Sequence, residues 1–167
     1  MSSRILGGVV AVALTSLFAL PTAAEACPPD GEAAVVCAIN AERTARSRPP
    51  LVVRAELRVA ARRHARDMVA HHYFSHTSPS GRTFVDRLRA VDYLLPGRAW
   101  AAGETLAWGA GSLSSAAATV AAWMHSPTHR RVLLRRRYRE VGVGVVADTP
   151  FGPAGATYAA DLGQVWR

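Results

Sequence analysis

The stretch Glu140-Val141-Gly142-Val143-Gly144-Val145-Val146 constrains the fold of this chain more than any other. Its alternation has a period of two, so it describes a strand with Val141, Val143 and Val145 on one face and Glu140, Gly142 and Gly144 on the other. Glycine inside a strand is unfavourable unless something uses the room it leaves. The glycine face is therefore an approach surface for another element or a ligand, and Glu140 projects into that space. A second strand reads over 156–162, where Tyr158 stands between small residues.

Helical patterns come before these strands. Residues 32–46 carry Val35, Val36 and Ile39 at helical spacing and stop before Pro49-Pro50. In the next segment Leu57, Ala60, Ala61, His64, Ala65, Met68, Val69 and His72 form one stripe, with Arg58, Arg62, Arg63, Arg66 and Asp67 off it. This predicts a helix with one buried face. Residues 75–81 are turn formers, and a short helix follows over 83–91. Ser112 or Ser114 is expected to cap an alanine-rich helix that buries Val120, Trp123 and Met124. Ser126-Pro127 restarts helical structure. Helices first and strands last predict an α+β domain with helices packed on an antiparallel sheet.

All 20 basic side chains are arginine. The missing lysine excludes a Schiff-base enzyme and a phosphate loop of the kind that ends in lysine. The net charge of +8 points to an acidic partner. Six arginines (Arg130, Arg131, Arg135, Arg136, Arg137 and Arg139) crowd one segment. They read either as a solvated face or as a docking patch for anionic envelope polymer or lipid headgroups. Nucleic acid is not expected, since no reading helix or aromatic platform accompanies the charge.

Arg4, the apolar run 5–20 and Ala24-Glu25-Ala26 have the form of a secretory signal peptide over 1–26, which leaves a single domain over 27–167. A retained anchor competes with this reading, but Gly7, Gly8, Thr15 and Ser16 interrupt a run that is short for a bilayer span. Lipoprotein processing at Cys27 is a third reading. Export makes a disulfide the natural assignment for Cys27 and Cys37, whose separation matches no zinc or redox motif. Closing so short a loop contributes ~3 kcal/mol at most.

The chain has no Gly-x-Ser-x-Gly elbow and no paired-histidine zinc helix, and Gly109-Ala110-Gly111 lacks the strand-loop-helix context of a phosphate site. His64 reads as a hydrogen-bonded core histidine, and His71, His72 and His125 as helix-end residues. His76 and His129 differ from these, because Ser and Pro neighbours present them rather than pack them. Glu104, between Gly103 and the apolar Leu106-Ala107-Trp108, is an unusual place for a charge unless it faces a cleft.

The motifs Asn40-Ala41-Glu42-Arg43, His64-Ala65-Arg66-Asp67-Met68, Phe74-Ser75-His76-Thr77-Ser78-Pro79-Ser80-Gly81, Gly103-Glu104, Trp123-Met124-His125-Ser126-Pro127-Thr128-His129-Arg130 and Glu140-Val141-Gly142-Val143-Gly144 occur in this order. Over about 27–163 the chain resembles bacterial CAP-domain proteins, of the superfamily of cysteine-rich secretory proteins, antigen five and plant pathogenesis-related proteins. The resemblance implies a three-layer α-β-α sandwich with a central antiparallel sheet, and a cleft where histidines and acids meet. Position by position it implies His76, Glu104 and His129 as cleft residues, and Glu140 as the glutamate of the bacterial branch. Thr105, Thr128 and Val132 depart from the usual Asn, Gly and Asn, and the loss of an amide at Val132 predicts weak support for a metal.

The leading functional expectation is a secreted or envelope-associated binding module. Its His76/Glu104/His129/Glu140 cleft would hold a divalent cation such as zinc, with His76 and His129 as donors, or a small or lipid ligand. One alternative is a metal-assisted hydrolase of peptide or cell wall with Glu104 as general base. Another is a structural module docked through the arginine patch.

Overall fold

In a computed structural model, residues 27–166 are described, so the expected signal peptide lies outside the described residues. The valine-glycine segment is strand β3, Glu140–Thr149, in a four-stranded sheet with β1 (Val52–Val53), β2 (Ala99–Ala110) and β4 (Gly152–Trp166). The strand order is β1-β3-β4-β2, antiparallel except for the short parallel pairing of β1 with β3.

The alternation of β3 assigns its two faces to different layers. Val141 and Val143, with Tyr158, Ala160 and Leu162 of β4, form one core with α1 (Gly31–Thr44), α4 (Ala116–His125) and α5 (Pro127–Leu133). The opposite face carries α2 (Ala55–Ala70), which packs on β3 and β4 and buries Ala61, Ala65 and Met68 against Ala159 and Leu106. Helix α3 (Phe84–Arg89) extends this layer, and Leu88 packs in a cluster with Leu57. The three layers are those that the resemblance implies.

The glycine face is filled by a helix backbone. A Cβ added at Gly142 would collide with the main chain of Leu57 and Arg58, and one at Gly144 with that of Ala61 and Arg62. Side-chain interdigitation is thus replaced by direct backbone approach, and α2 sits closer to the sheet than any larger residue allows.

Three details differ from expectation. β2 lies where no strand was read, because Ala99-Trp100-Ala101-Ala102-Gly103 is poor in strand formers; unbroken pairing from Ala99↔Trp166 to Ala110↔Gly155 supplies what propensity lacks. β1 is two residues long and carries no periodicity. The cap of α4 is Ser115, whose side chain accepts from the Ala118 amide, while Gly111–Ser114 forms a 3-10 turn that takes up Ser112 and Ser114.

Cys27 and Cys37 form a disulfide that ties the chain entering α1 to the helix itself. Arg43, buried on α1, has no carboxylate partner among the described residues. It donates instead to the carbonyls of Pro49 (2.9 Å), Leu133 (2.6 Å) and Tyr138 (3.2 Å), which joins α1 to the turn after α5. Burial, then the charges of Arg139 and Arg48, lower its pKa to about 10, so it stays charged at neutral pH.

Gly142→Ala is expected to lower stability by about 3 kcal/mol or more, because the added methyl meets backbone that cannot rotate away. A urea midpoint unchanged from the parent chain would show that α2 can lift off the sheet.

Candidate functional site

The site forms where β2, on the outside of the sheet, meets the loop after α2. Glu104 points to the α2 side of the sheet, and its side chain is only 2% exposed. One oxygen accepts from His76 Nδ1 at 2.7 Å and the other from Arg87 Nη2 at 2.7 Å. His64, fully buried on α2, places Nε2 3.9 Å from the same carboxylate while bonding the Ser75 carbonyl at 3.0 Å. Arg87 also donates to the His76 carbonyl at 3.0 Å, so one guanidinium steadies both Glu104 and the loop that presents His76. Burial pushes the Glu104 carboxyl up, but the His76 bond and the charges of Arg87 and His64 outweigh it and hold the group below its ordinary value. Burial lowers the pKa of His64.

With Glu104 ionised, the bond from His76 Nδ1–H assigns the free lone pair of the neutral ring to Nε2. The His76 side chain is 57% exposed. His129, in the first turns of α5, is half-buried and approaches from the other side of the sheet; burial, then the His76 charge, lowers its pKa. A presented imidazole thus lies near a second whose burial favours the neutral form.

Glu140 shares the α2 side but has partners of its own, the Tyr93 hydroxyl at 2.8 Å and Arg54 at 3.8 Å. It pairs with Gly163, whereas Glu104 pairs with Asp161, so two strand spacings and two residues separate the carboxylates, about 12 Å between their Cα atoms. Of the four residues expected in the cleft, direct bonding joins His76 and Glu104, His129 feels the His76 charge, and Glu140 sits in a separate network. Among the described residues no group of three His, Cys, Asp or Glu side chains is arranged to hold a metal.

Asp161 is a member of this site that sequence reasoning missed. It lies directly across from Glu104 and is fully buried beside that carboxylate, and among the described residues neither oxygen meets hydrogen-bond geometry. Burial and the Glu104 charge raise its pKa well above the ordinary value. Its signal was a lone acid among Tyr158-Ala159-Ala160 and Leu162 in an apolar strand. Arg87 gave no such signal, being one arginine among many. Of the departures from the usual pattern, Thr105 is buried with an unpartnered hydroxyl, and Val132 packs in the core.

The model of the cysteine-rich secretory protein family, CAP, matches residues 36–152. The chain is 32% identical over 117 residues to the uncharacterized protein YkwD of Bacillus subtilis (strain 168), covering 69% of this chain and 42% of that protein. It is 36% identical over 84 residues to the uncharacterized membrane protein YlbC of the same organism, covering 49% and 22%. The chain thus spans less than half the length of these curated relatives. Among solved structures, an extracellular protein containing an SCP domain from Bacillus anthracis str. Ames superposes with a TM-score of 0.66 at 27% identity, over 78% of this chain and 39% of that one. An outer surface protein from Borrelia burgdorferi gives a TM-score of 0.65 at 20% identity over 78% and 89%, a likeness of fold.

The two buried acids have opposite pH signs. Glu104, with its lowered folded pKa, contributes stability that is lost as pH falls through that value. Asp161, with its raised one, keeps a proton that the unfolded chain releases, so between the unfolded and folded pKa values stability falls by about 1.4 kcal/mol per pH unit. Asp161→Asn should therefore raise the urea midpoint, with a gain that grows over the pH range above the ordinary aspartate value. A lower midpoint across that range would mean that Asp161 is ionised and paired.

Proposed function

The chain belongs to the cysteine-rich secretory protein (CAP) family, and from that premise we propose that it is an exported binding domain whose working surface is the cleft of His76, Glu104 and His129. The observation that carries this reading is the orientation of His76. A buried carboxylate holds Nδ1, and the exposed ring turns Nε2 outward. Histidines that bind metals are held in this manner, with the far nitrogen bonded to a carboxylate that sets tautomer and basicity.

A divalent cation such as zinc fits these residues in a limited way. His76 Nε2 and His129 would hold it, and the bound ion would act as a Lewis acid toward a small anionic ligand. Glu104 would stay behind His76 rather than join the coordination, since Arg87 and His76 occupy its oxygens. Two imidazoles make a weaker site than the three protein ligands of catalytic zinc centres. The same commitment of Glu104 counts against the hydrolase reading, in which this carboxylate would serve as general base.

Export is supported by the extracellular and outer-surface relatives of the same fold. No helix among the described residues is long and apolar enough to cross a membrane. The arginine segment would then meet envelope material. Arg136, Arg137 and Arg139 line an open depression of about 790 Å³ together with Trp100 and Trp166, a surface suited to an anionic envelope polymer.

Isothermal titration of zinc into the mature chain should show binding that His76→Ala and His129→Ala each weaken by at least about tenfold, and that Glu104→Gln weakens by a similar factor. Unchanged affinity in both histidine variants would refute the cation reading. Salt of about 0.5 M should release the protein from cell-wall fragments; retention there would exclude the arginine face as the contact.

A further inference from the structure

Behind the Glu104 centre, between α2 and α3, lies a cavity of about 200 Å³ bordered by Arg63, His64, Ser78, Ser80, Arg82 and Arg87. It is smaller than the pockets that take drug-sized molecules. Most of its polar groups are already engaged. His64 bonds the Ser75 carbonyl, and the Ser78 hydroxyl bonds Asp67 at 3.0 Å. Asp67, the acid on the wall, accepts from Tyr73 as well, and these two hydroxyl bonds outweigh burial and hold its carboxyl below the ordinary value.

The arginines are the exception. Among the described residues the exposed side chains of Arg63 and Arg82 make neither a hydrogen bond nor an ion pair, although both stand at the cavity. Arg87, 5% exposed, is fixed from below by Glu104 at 2.7 Å and donates Nη1 to the Arg82 carbonyl at 3.3 Å, while its buried Nε has no partner. A guanidinium so anchored is pre-organised, and two uncommitted ones flank it with the hydroxyl of Ser80.

We propose that this cavity is an oxyanion site for a phosphate group, either free phosphate or the end of a phosphomonoester. Several guanidinium groups around one small volume match the many oxygens of a tetrahedral phosphate better than the two of a carboxylate. Glu104 balances Arg87. Asp67, on the cavity wall, stays an anion bonded by Tyr73 and Ser78 and approached by His71 at 2.9 Å, while Asp86 caps α3 through Thr83 and does not line the cavity, so three arginines stand against the charges of Asp67 and Glu104. The cavity therefore keeps a positive surplus. The site does not depend on cation binding at His76 and His129.

Isothermal titration of inorganic phosphate, methyl phosphate and acetate into the mature chain at low salt tests this. Saturable phosphate binding is expected, weakened about tenfold by Arg63→Ala and by Arg82→Ala, both exposed enough to leave the fold intact. A combined Arg135→Ala, Arg136→Ala and Arg137→Ala variant should stay within about twofold of the parent, since those charges lie elsewhere. Tighter binding of inorganic phosphate than of methyl phosphate would identify the free ion as the ligand, and the reverse order a phosphorylated molecule. Equal loss in the triple variant, acetate binding as tight as phosphate, or no saturation by about 10 mM would each overturn the proposal.

Discussion

The backbone of α2 resting on the glycine face of β3 is the contact on which the rest of the molecule depends. Gly142 and Gly144 let the helix approach until its own main chain forms the interface. At that separation His64 is sealed against the sheet, and the loop that leaves α2 is delivered across β4 to the outer strand β2. There His76 finds Glu104. Larger residues at the two glycines would lift the helix and carry the loop, His76 and the wall of the arginine cavity away with it.

Close packing also governs how this chain handles charge. Arginine is its only long cation, and the two buried among the described residues are used differently. Arg43 satisfies its donors with backbone carbonyls and joins three segments without an acid. Arg87 faces Glu104, which allows a carboxylate to remain ionised deep in the layer and to orient His76. Asp161 has no such partner, and the nearby Glu104 charge adds to the cost of ionising it. Two acids opposite each other on adjacent strands thus take opposite protonation behaviour from their surroundings.

Much of the architecture was legible because it rests on local periodicity. The stripe from Leu57, which holds through Met68 and fails at the exposed His72 beyond the helix end, and the alternation from Glu140 to Val146 each repeat often enough to declare a period, and His64 proved to be the bonded core histidine that its place on the stripe implied. β2 was not legible. Its alanine-rich start has no local preference, and it becomes a strand through pairing with β4, a partner some fifty residues away. The ordered motifs pointed to the right family and to His76 and Glu104, whereas Arg87 and Asp161 matter only through what stands opposite them.

Sequence by itself determined the elements that carry their own period, the pairing of its two cysteines and the surplus of arginine, and its family resemblance implied the three-layer arrangement. Tertiary structure decided which charges meet. It bonded His76 directly to Glu104 with Arg87 on the other oxygen, set Glu140 apart with Tyr93 and Arg54, buried Asp161 opposite Glu104, and gathered Arg63, Arg82 and Arg87 around one cavity. The physical reason is range. Periodicity and capping act within a few residues, while the ionisation and partners of a buried side chain depend on strand register and helix approach between distant segments.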